Sequence, residues 1–254
     1  MPGGVAVADH VRKEFAPSGV LRAGINLGNP VIAQADAEQG DLRGVGPALA
    51  RGLAARLGVP VAFTTYDTAG KLADAVTQGA WDVAFLAIDP ERARQIAFTD
   101  AYVNIEGTYM VRADSPLRRV EDVDREGVRV AVGLKTAYDL FLTRTLEHAQ
   151  PVRSPNSKTA IAQFLAEGLD AAAGVKQALV PFAEVTPGLR VMDGSFMVIR
   201  QAAAMPRGRD EALAYLDRFI EDAKASGFVA RSLEESGVEA AVAPARAPAE
   251  GRGD

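Results

Sequence analysis

The sequence predicts an α/β protein with mainly parallel sheets, arranged as two lobes built alike. The first observation is the segment 81–102, where a continuous apolar run at 83–86 is typical of a strand buried on both faces of a parallel sheet. The second is that strands and helices alternate before this run, which predicts parallel strands joined by right-handed crossovers. The third is that AVTQGAWDVAFL and QFLAEGLDAAAG share the order of apolar helix, glycine, aspartate and strand.

Proline and glycine residues place the elements of the first half. Pro17 and Gly19 close a short first helix. Gly46 and Pro47 open the next helix, and Gly58 ends it. The predicted elements are a helix at 8–15, a strand at 20–25, a loop at 26–30, a helix at 46–57, a strand from 59, a helix at 72–77 and the strand at 83–86.

The second half repeats this alternation after a strand that crosses between the lobes. The predicted elements are the crossing strand at 108–115, a charged linker at 118–126, a strand from 128, a helix at 137–147, a connection at 151–155, a helix at 159–166, a strand from 171, a returning strand at 195–201 and helices at 209–225 and 228–235. From residue 240 the chain is rich in alanine, proline and glycine, and we expect it to be disordered.

Composition excludes several classes of function. With 254 residues and 48% hydrophobic content the chain can build a sizeable core, and its net charge of −5 argues against a nucleic-acid partner. There is no cysteine, so thiol chemistry is excluded. With only His10 and His148, we expect neither a histidine metal site nor a Ser-His-Asp triad, and no cofactor.

The N-terminus bears on the predicted location. Residues 1–15 show no basic segment followed by an apolar one, so no secretory signal is visible. As the sequence stands this predicts a cytoplasmic protein, and a periplasmic one if a signal was trimmed.

Arg92 is the main candidate for binding a ligand. Asp89 can accept from the free N–H groups of a new helix and Pro90 suits its first turn, so a helix is predicted directly after the strand. Arg92 would then lie beside free N–H groups at the carboxyl end of a parallel strand, an arrangement that binds anions. The alternative is a surface ion pair with a neighbouring carboxylate, and the spacing allows both.

The run D-x-A-x-x-A-I-D-P-E-R-A-R-Q-I-A-F-T-D-A-Y resembles the signature of the family-3 extracellular solute-binding proteins, the amino-acid-binding components of ABC transporters. The resemblance implies a two-lobed type II periplasmic-binding-protein fold, in which the arginine at the position of Arg92 binds the ligand's α-carboxylate. Ala87 stands where that family usually has a serine that helps to hold the carboxylate. In the loop after the first strand, Asn29 occupies the place of a stacking aromatic, and Asn26 opens the same loop; both are candidate cleft residues.

The resemblance also sets the predicted domain limits. These are an N-terminal segment at 1–17, lobe 1 at 18–110 and 196–239, lobe 2 at 111–195, and a disordered tail at 240–254.

A second candidate cluster opens the first helix of lobe 2. Thr136 and Asp139 form a T-x-x-D pattern close to a capping box, which is a sufficient structural reason for both. The resemblance implies a further role, because a glycine-threonine pair at this turn donates to the ligand carboxylate in that family. Thr136 matches the threonine, Lys135 replaces the glycine and would favour negative charge, and Tyr138 completes the candidate set.

Lys176 distinguishes this chain from the amino-acid binders. The resemblance implies that Val175 and Lys176 stand where those proteins place an aspartate that receives the ligand's ammonium group. If Lys176 faces the cleft, an ammonium beside it is costly to desolvate, and an organic acid with one or two carboxylates is favoured. The alternative is a solvent-facing lysine.

The predicted function is therefore non-catalytic binding of a small organic acid or amino-acid-like ligand by closure of two lobes. The partner would be an ABC transporter permease, and we expect a monomer. Two alternatives are a dehydratase resembling the cyclohexadienyl dehydratases, which needs an acid in the cleft, and a cytosolic ligand sensor of the same fold.

Overall fold

The computed structural model describes residues 7–35 and 41–246. Its helices are α1 (Asp9–Phe15), α2 (Val45–Leu57), α3 (Ala69–Asp74), α4 (Ala137–Thr145), α5 (Ser157–Ala166), α6 (Lys176–Val185), α7 (Asp210–Ala225) and α8 (Phe228–Glu235). Its strands are β1 (Leu21–Asn26), β2 (Gln34–Ala35), β3 (Leu42–Arg43), β4 (Val61–Tyr66), β5 (Val83–Ala87), β6 (Ile96–Arg112), β7 (Arg129–Gly133), β8 (Gln150–Ser154), β9 (Ala171–Val175), β10 (Leu189–Val191), β11 (Met197–Pro206) and β12 (Ala241–Val242).

One sheet runs through the whole molecule in the order β4-β1-β5-β11-β6-β9-β7-β8. Strands β4, β1 and β5 are parallel to one another, and so are β9, β7 and β8. We call the parts built on these two sets lobe 1 and lobe 2. The antiparallel strands β11 and β6 lie between them and connect the lobes. The predicted α/β class with two mainly parallel halves is thus confirmed.

The core of each lobe follows from the apolar runs of its strands. All five residues of β5 are buried, as the continuous apolar run predicts. Trp81 is fully buried just before β5, and its indole N–H donates to the carbonyl of Leu72 at 2.9 Å. These buried side chains hold β5 in place within the core of lobe 1. The carboxyl ends of β1 and β5 face those of β7 and β9 across a cleft between the lobes.

The chain after β5 differs from the prediction. No α-helix begins at Asp89; a turn leads to a single 3₁₀ turn at Arg92–Arg94, too short to build an appreciable helix dipole. The residues from 96 onward are drawn into β6 because they pair along their length with β11. The crossing strand is consequently 17 residues long and begins well before residue 108.

Three further elements differ from the prediction. The connection at 151–155 is mostly strand β8, which pairs in parallel with β7. Helix α6 was not predicted, and it contains Pro181. Residues 240–246 are ordered: β12 pairs with β6, and Arg246 forms ion pairs with Asp100 and Asp217 at 2.6 and 2.7 Å. Composition alone could not show these polar contacts. The rest of the predicted tail, 247–254, and residues 1–6 lie outside the described residues.

Candidate functional site

A cavity lies between the lobes at the carboxyl ends of their central strands. It contains about 740 Å³ of non-protein space, including the part open to solvent. Its lining combines an apolar surface with a few polar groups: Asn26, Gly28, Asn29, Pro30, Asp67, Thr68, Ala69, Leu86, Ala87, Arg92, Thr136, Ala137, Tyr138, Ser157, Ile161, Ala173, Gly174, Val175, Ala178, Leu179, Ile199 and Gln201. Six of the eight predicted site residues belong to it; Lys135 and Lys176 do not.

Arg92 is held in the cavity wall by backbone carbonyls. Its side chain is buried, with Nη1 donating to the carbonyl of Ala87 at 3.0 Å and Nη2 to the carbonyl of Lys135 at 3.0 Å. The first contact ties the guanidinium to the end of β5. The second reaches across the cleft to lobe 2, so this arginine touches both lobes.

The charge of Arg92 is not neutralised by an ion pair with any described residue. Burial lowers its pKa to about 10, while the nearby carboxylates of Asp89, Glu91 and Asp74 oppose that shift. With a pKa of about 10 the guanidinium is still charged at neutral pH. A buried cation with N–H groups left free beside a cavity is the arrangement that a ligand carboxylate would complete.

On the lobe 2 side of the cavity, the side chain of Thr136 hydrogen-bonds to the backbone of its own lobe. The Thr136 hydroxyl donates to the carbonyl of Gly133 at 2.9 Å and accepts from the N–H of Asp139 at 3.1 Å. The hydroxyl therefore caps α4 and has no proton left for a ligand. The backbone N–H groups of Ala137 and Tyr138 remain as the donors that the first turn of a helix leaves free.

Lys135 connects the lobes instead of lining the cavity. Its φ of +56° is in the left-handed region, which accounts for a glycine being suited to this position. Its ammonium pairs with Asp74 of lobe 1 at 2.7 Å, and its Cβ lies so close to α3 that a Cβ added at Gly70 would be 2.7 Å away. Arg144 of lobe 2 and the buried carboxylate of Asp89 form a second bridge, at 2.8 Å.

Lys176 points away from the cavity. Its ammonium pairs with Glu106 on β6 at 2.9 Å, and both side chains are about two-fifths exposed. Helix α6 begins at this residue, so the preceding Val175 lines the cavity while Lys176 turns outward. The expectation that Lys176 faces the cleft is therefore not met, whereas an apolar side chain does stand at the end of β9.

Amide and hydroxyl groups complete the lining. The side-chain oxygens of Asn26 and Asn29 accept from the N–H groups of Gly28 and Val31 at 2.9 and 3.1 Å, which shapes the loop that lines the cavity. The Tyr138 hydroxyl is 2.7 Å from the Ser157 hydroxyl, and burial raises the pKa of the tyrosine.

Sequence reasoning missed several lining residues, notably Asp67, Ser157 and Gln201. Asp67 follows β4, so it could have been found by asking which residues follow each predicted strand of the parallel sets. Ser157 starts α5 after β8, and that strand was predicted as a connection, so the same question would not have found it. Gln201 gives no such signal, because one glutamine in a strand is common. Among the described residues, no group of three histidine, aspartate or glutamate side chains could hold a metal, and no helix has the length and apolar character needed to cross a membrane.

Comparison with known families gives a match over most of the chain. Residues 21–236 match the model of the bacterial extracellular solute-binding proteins, family 3. No curated protein matches the chain.

Solved structures show the same architecture. A mutant of ArgBP from T. maritima superposes with a TM-score of 0.75 at 24% identity, over 90% of this chain and all of that one. The ancestral amino-acid-binding protein AncCDT-1, a precursor of cyclohexadienyl dehydratase, gives 0.74 at 24% identity over 88% of this chain and 97% of that one. AbpA from Streptococcus pneumoniae, bound to L-arginine, gives 0.75 at 19% identity over 88% and 97%. At these identities the likeness establishes the fold.

Proposed function

The chain belongs to the bacterial extracellular solute-binding proteins of family 3, and from that membership we propose that it closes two lobes over a small monocarboxylate with an apolar body. The single observation that carries the proposal is Arg92, a buried cation that lines the cavity with no described carboxylate paired to it. A ligand carboxylate would accept from its free N–H groups and from those at the start of α4.

The charges of the cavity lining favour a ligand with one negative charge over a ligand with two. Arg92 is the only cation among the described lining residues, since Lys135 and Lys176 pair outside it. A second carboxylate would be desolvated without a partner, which is costly. The apolar side chains of Val175, Leu179 and others suit a hydrocarbon body instead.

An amino-acid ligand is the second candidate, and Asp67 is the observation that favours it. This is the one carboxylate among the described lining residues, and similar structures include proteins bound to L-arginine and to lysine. Its hydrogen bond to Lys71 at 2.8 Å lowers the pKa of Asp67, and the side chain is largely exposed, so it already has a partner at the rim. We therefore rank an ammonium-bearing ligand second.

We propose that the protein does no chemistry and that it delivers its ligand as a monomer to an ABC permease in the extracellular setting of its family. A dehydratase would need an acid that protonates the leaving hydroxyl. Asp67 is ion-paired at the rim, and the end of β9 offers Val175. Incubation with prephenate or arogenate should give no aromatic product; turnover that scales with protein would establish the enzymatic alternative.

A thermal-shift screen of aliphatic monocarboxylates against the standard amino acids tests the ligand class. A ligand at 100 times its dissociation constant adds about 2.7 kcal/mol to the free energy of unfolding, so binders are easily seen. We expect monocarboxylates to stabilise the protein and amino acids to have little effect. A shift with amino acids alone, lost in Asp67→Asn, would favour the second candidate.

The variant Val175→Asp sharpens this test. A carboxylate at the end of β9 should weaken acids by like-charge repulsion and create an acceptor for an ammonium group. Val185→Asp is the matched control, because that valine is exposed at the end of α6. If Val175→Asp left the ligand preference unchanged, Val175 would not face the ligand.

A further inference from the structure

Gln201 is a mostly buried polar side chain without a hydrogen-bond partner in the described part of the chain. It lies in β11, lines the cavity and is only 4% exposed. Neither end of its carboxamide hydrogen-bonds to any described residue. The buried side-chain atoms without a hydrogen-bond partner do not include those of Gln201, so its carboxamide is open to the cavity, where a ligand can complete its hydrogen bonds.

The position of Gln201 places it beside Arg92. In the sheet Gln201 is the antiparallel partner of Ala87, whose carbonyl receives Nη1 of Arg92. Paired residues project from the same face of a sheet with their Cβ atoms about 5 Å apart. A carboxylate held by Arg92 is therefore within reach of the carboxamide.

The local strand geometry presents this side chain to the cavity. Ile199, two residues earlier, lines the cavity too, as the alternation of a strand requires. The register between β11 and β6 shifts directly after Gln201. Such irregularities commonly aim a side chain at a functional site.

Gln201 also differs from the asparagines of the lining. Asn26 and Asn29 each use the side-chain oxygen to hold their own loop. Gln201 keeps a donor and an acceptor free together. Such a pair suits a neutral oxygen substituent, because the Nε2 group donates to a carbonyl or hydroxyl oxygen and Oε1 accepts from a hydroxyl.

We infer that Gln201 recognises a neutral oxygen on the ligand next to the carboxylate bound by Arg92, so that the preferred ligand is a 2-hydroxy or 2-oxo acid. This inference rests on the proposed function, because it assumes that Arg92 binds the carboxylate. An ammonium at the same carbon is disfavoured, since a neutral carboxamide cannot compensate its charge when the cleft closes. Ala87, opposite in the sheet, contributes no polar side-chain atom.

The test uses four probes with one carbon skeleton: isovalerate, 2-hydroxyisovalerate, 2-oxoisovalerate and valine. Titration calorimetry with the wild-type protein should show the hydroxy or the oxo acid binding about tenfold more tightly than isovalerate. Gln201→Leu keeps the size of the side chain and removes the carboxamide. It should abolish this preference and leave the affinity for isovalerate within about threefold. Gln150→Leu, at an exposed glutamine of β8, is the matched control and should keep the preference.

Each result decides between the inferences. Equal binding of the three acids by the wild-type protein would overturn the role of Gln201 and leave the proposed monocarboxylate function standing. Failure of all three acids, with valine bound or not, would overturn the proposed function and this inference with it. If Gln201→Leu does not fold, Gln201→Glu replaces it: a carboxylate reaching the ligand should weaken every acid, and unchanged affinity would overturn the inference.

Discussion

In each lobe a parallel strand ends in a turn at the cavity. The two turns differ in whether their polar side chains are free to bind a ligand. On the side of lobe 1, β5 is followed by Arg92, which forms no ion pair with a described residue. The connecting strand β11 places Gln201 next to β5, and its carboxamide has no hydrogen-bond partner among the described residues. In lobe 2, β7 is followed by Thr136, whose hydroxyl is used to cap α4.

Like the hydroxyl of Thr136, the side chain of Asp139 is bonded to other groups of lobe 2. Its carboxylate accepts from the N–H of Lys135 at 2.8 Å and from Arg153 at 2.9 Å, so it too is used within the lobe. Under the proposed function, Arg92 and Gln201 would recognise the ligand with side chains, while lobe 2 would contribute mainly the free N–H groups at the start of α4 and the apolar side chains of its lining. We therefore expect substitutions around Arg92 to weaken ligand binding directly. Substitutions where the two lobes touch should act on closure.

The largest expected effect is that of Arg92→Ala. Losing a charge-assisted contact to a buried carboxylate should weaken binding by about 2–5 kcal/mol. Calorimetry with an acid that stabilises the wild-type protein would measure this loss. Arg94→Ala is the matched control, because Arg94 lies two residues away and is exposed. An unchanged affinity in folded Arg92→Ala would show that lobe 1 does not hold the anion through this residue.

An intermediate effect is expected of Gly70→Ala at the junction. The added methyl would lie 2.7 Å from Cβ of Lys135, and such overpacking costs about 1–3 kcal/mol, here only when the lobes are together. Affinity should fall accordingly, while the unliganded protein should become more open in small-angle X-ray scattering.

The control for Gly70→Ala is another helical glycine of lobe 1. At Gly52 the nearest atom to an added Cβ is 3.4 Å away, at Phe219, so alanine there should leave affinity unchanged. If both variants bound the ligand normally, the contact between α3 and Lys135 would not be part of the ligand-bound state.

The smallest effect is expected of Lys176→Met. The ion pair with Glu106 is well exposed, and such pairs contribute little, so stability should change by no more than about 0.5 kcal/mol. Ligand preference should not change, because the side chain lies outside the cavity lining. Chemical denaturation and the same calorimetric titrations measure both. A reversal of preference from acids to amino acids would show that Lys176 reaches the ligand after all.

The parts of the site that the sequence predicted are those where local pattern and three-dimensional position coincide. The buried run of β5 fixes where the strand ends, so Arg92 could be placed at the cleft from spacing and resemblance. The predicted contribution of a helix dipole at this position is wrong, since only a 3₁₀ turn follows Asp89. The charge and the free N–H groups of Arg92 itself remain.

Other features depend on contacts between residues far apart in the chain. Whether Lys176 or Val175 faces the cavity is decided by the residue at which α6 begins, and a shift of one position exchanges them. Gln201 becomes a candidate for ligand binding only because it pairs with Ala87, which lies more than a hundred residues earlier in the sequence. The ordered residues near the C-terminus depend likewise on Asp100 and Asp217, which no local composition reveals.

The C-terminal segment has a consequence for how the protein can be handled. The carbonyl of Glu239 accepts from Gln177 of lobe 2 at 3.2 Å, while β12, two residues on, adds to the connecting strand β6. The segment thus contacts both lobe 2 and the strand that connects the lobes. We expect an affinity tag or fluorophore attached near residue 246 to disturb these contacts and to change how readily the lobes separate. The signal of such a label would then combine ligand binding with the effect of the label itself.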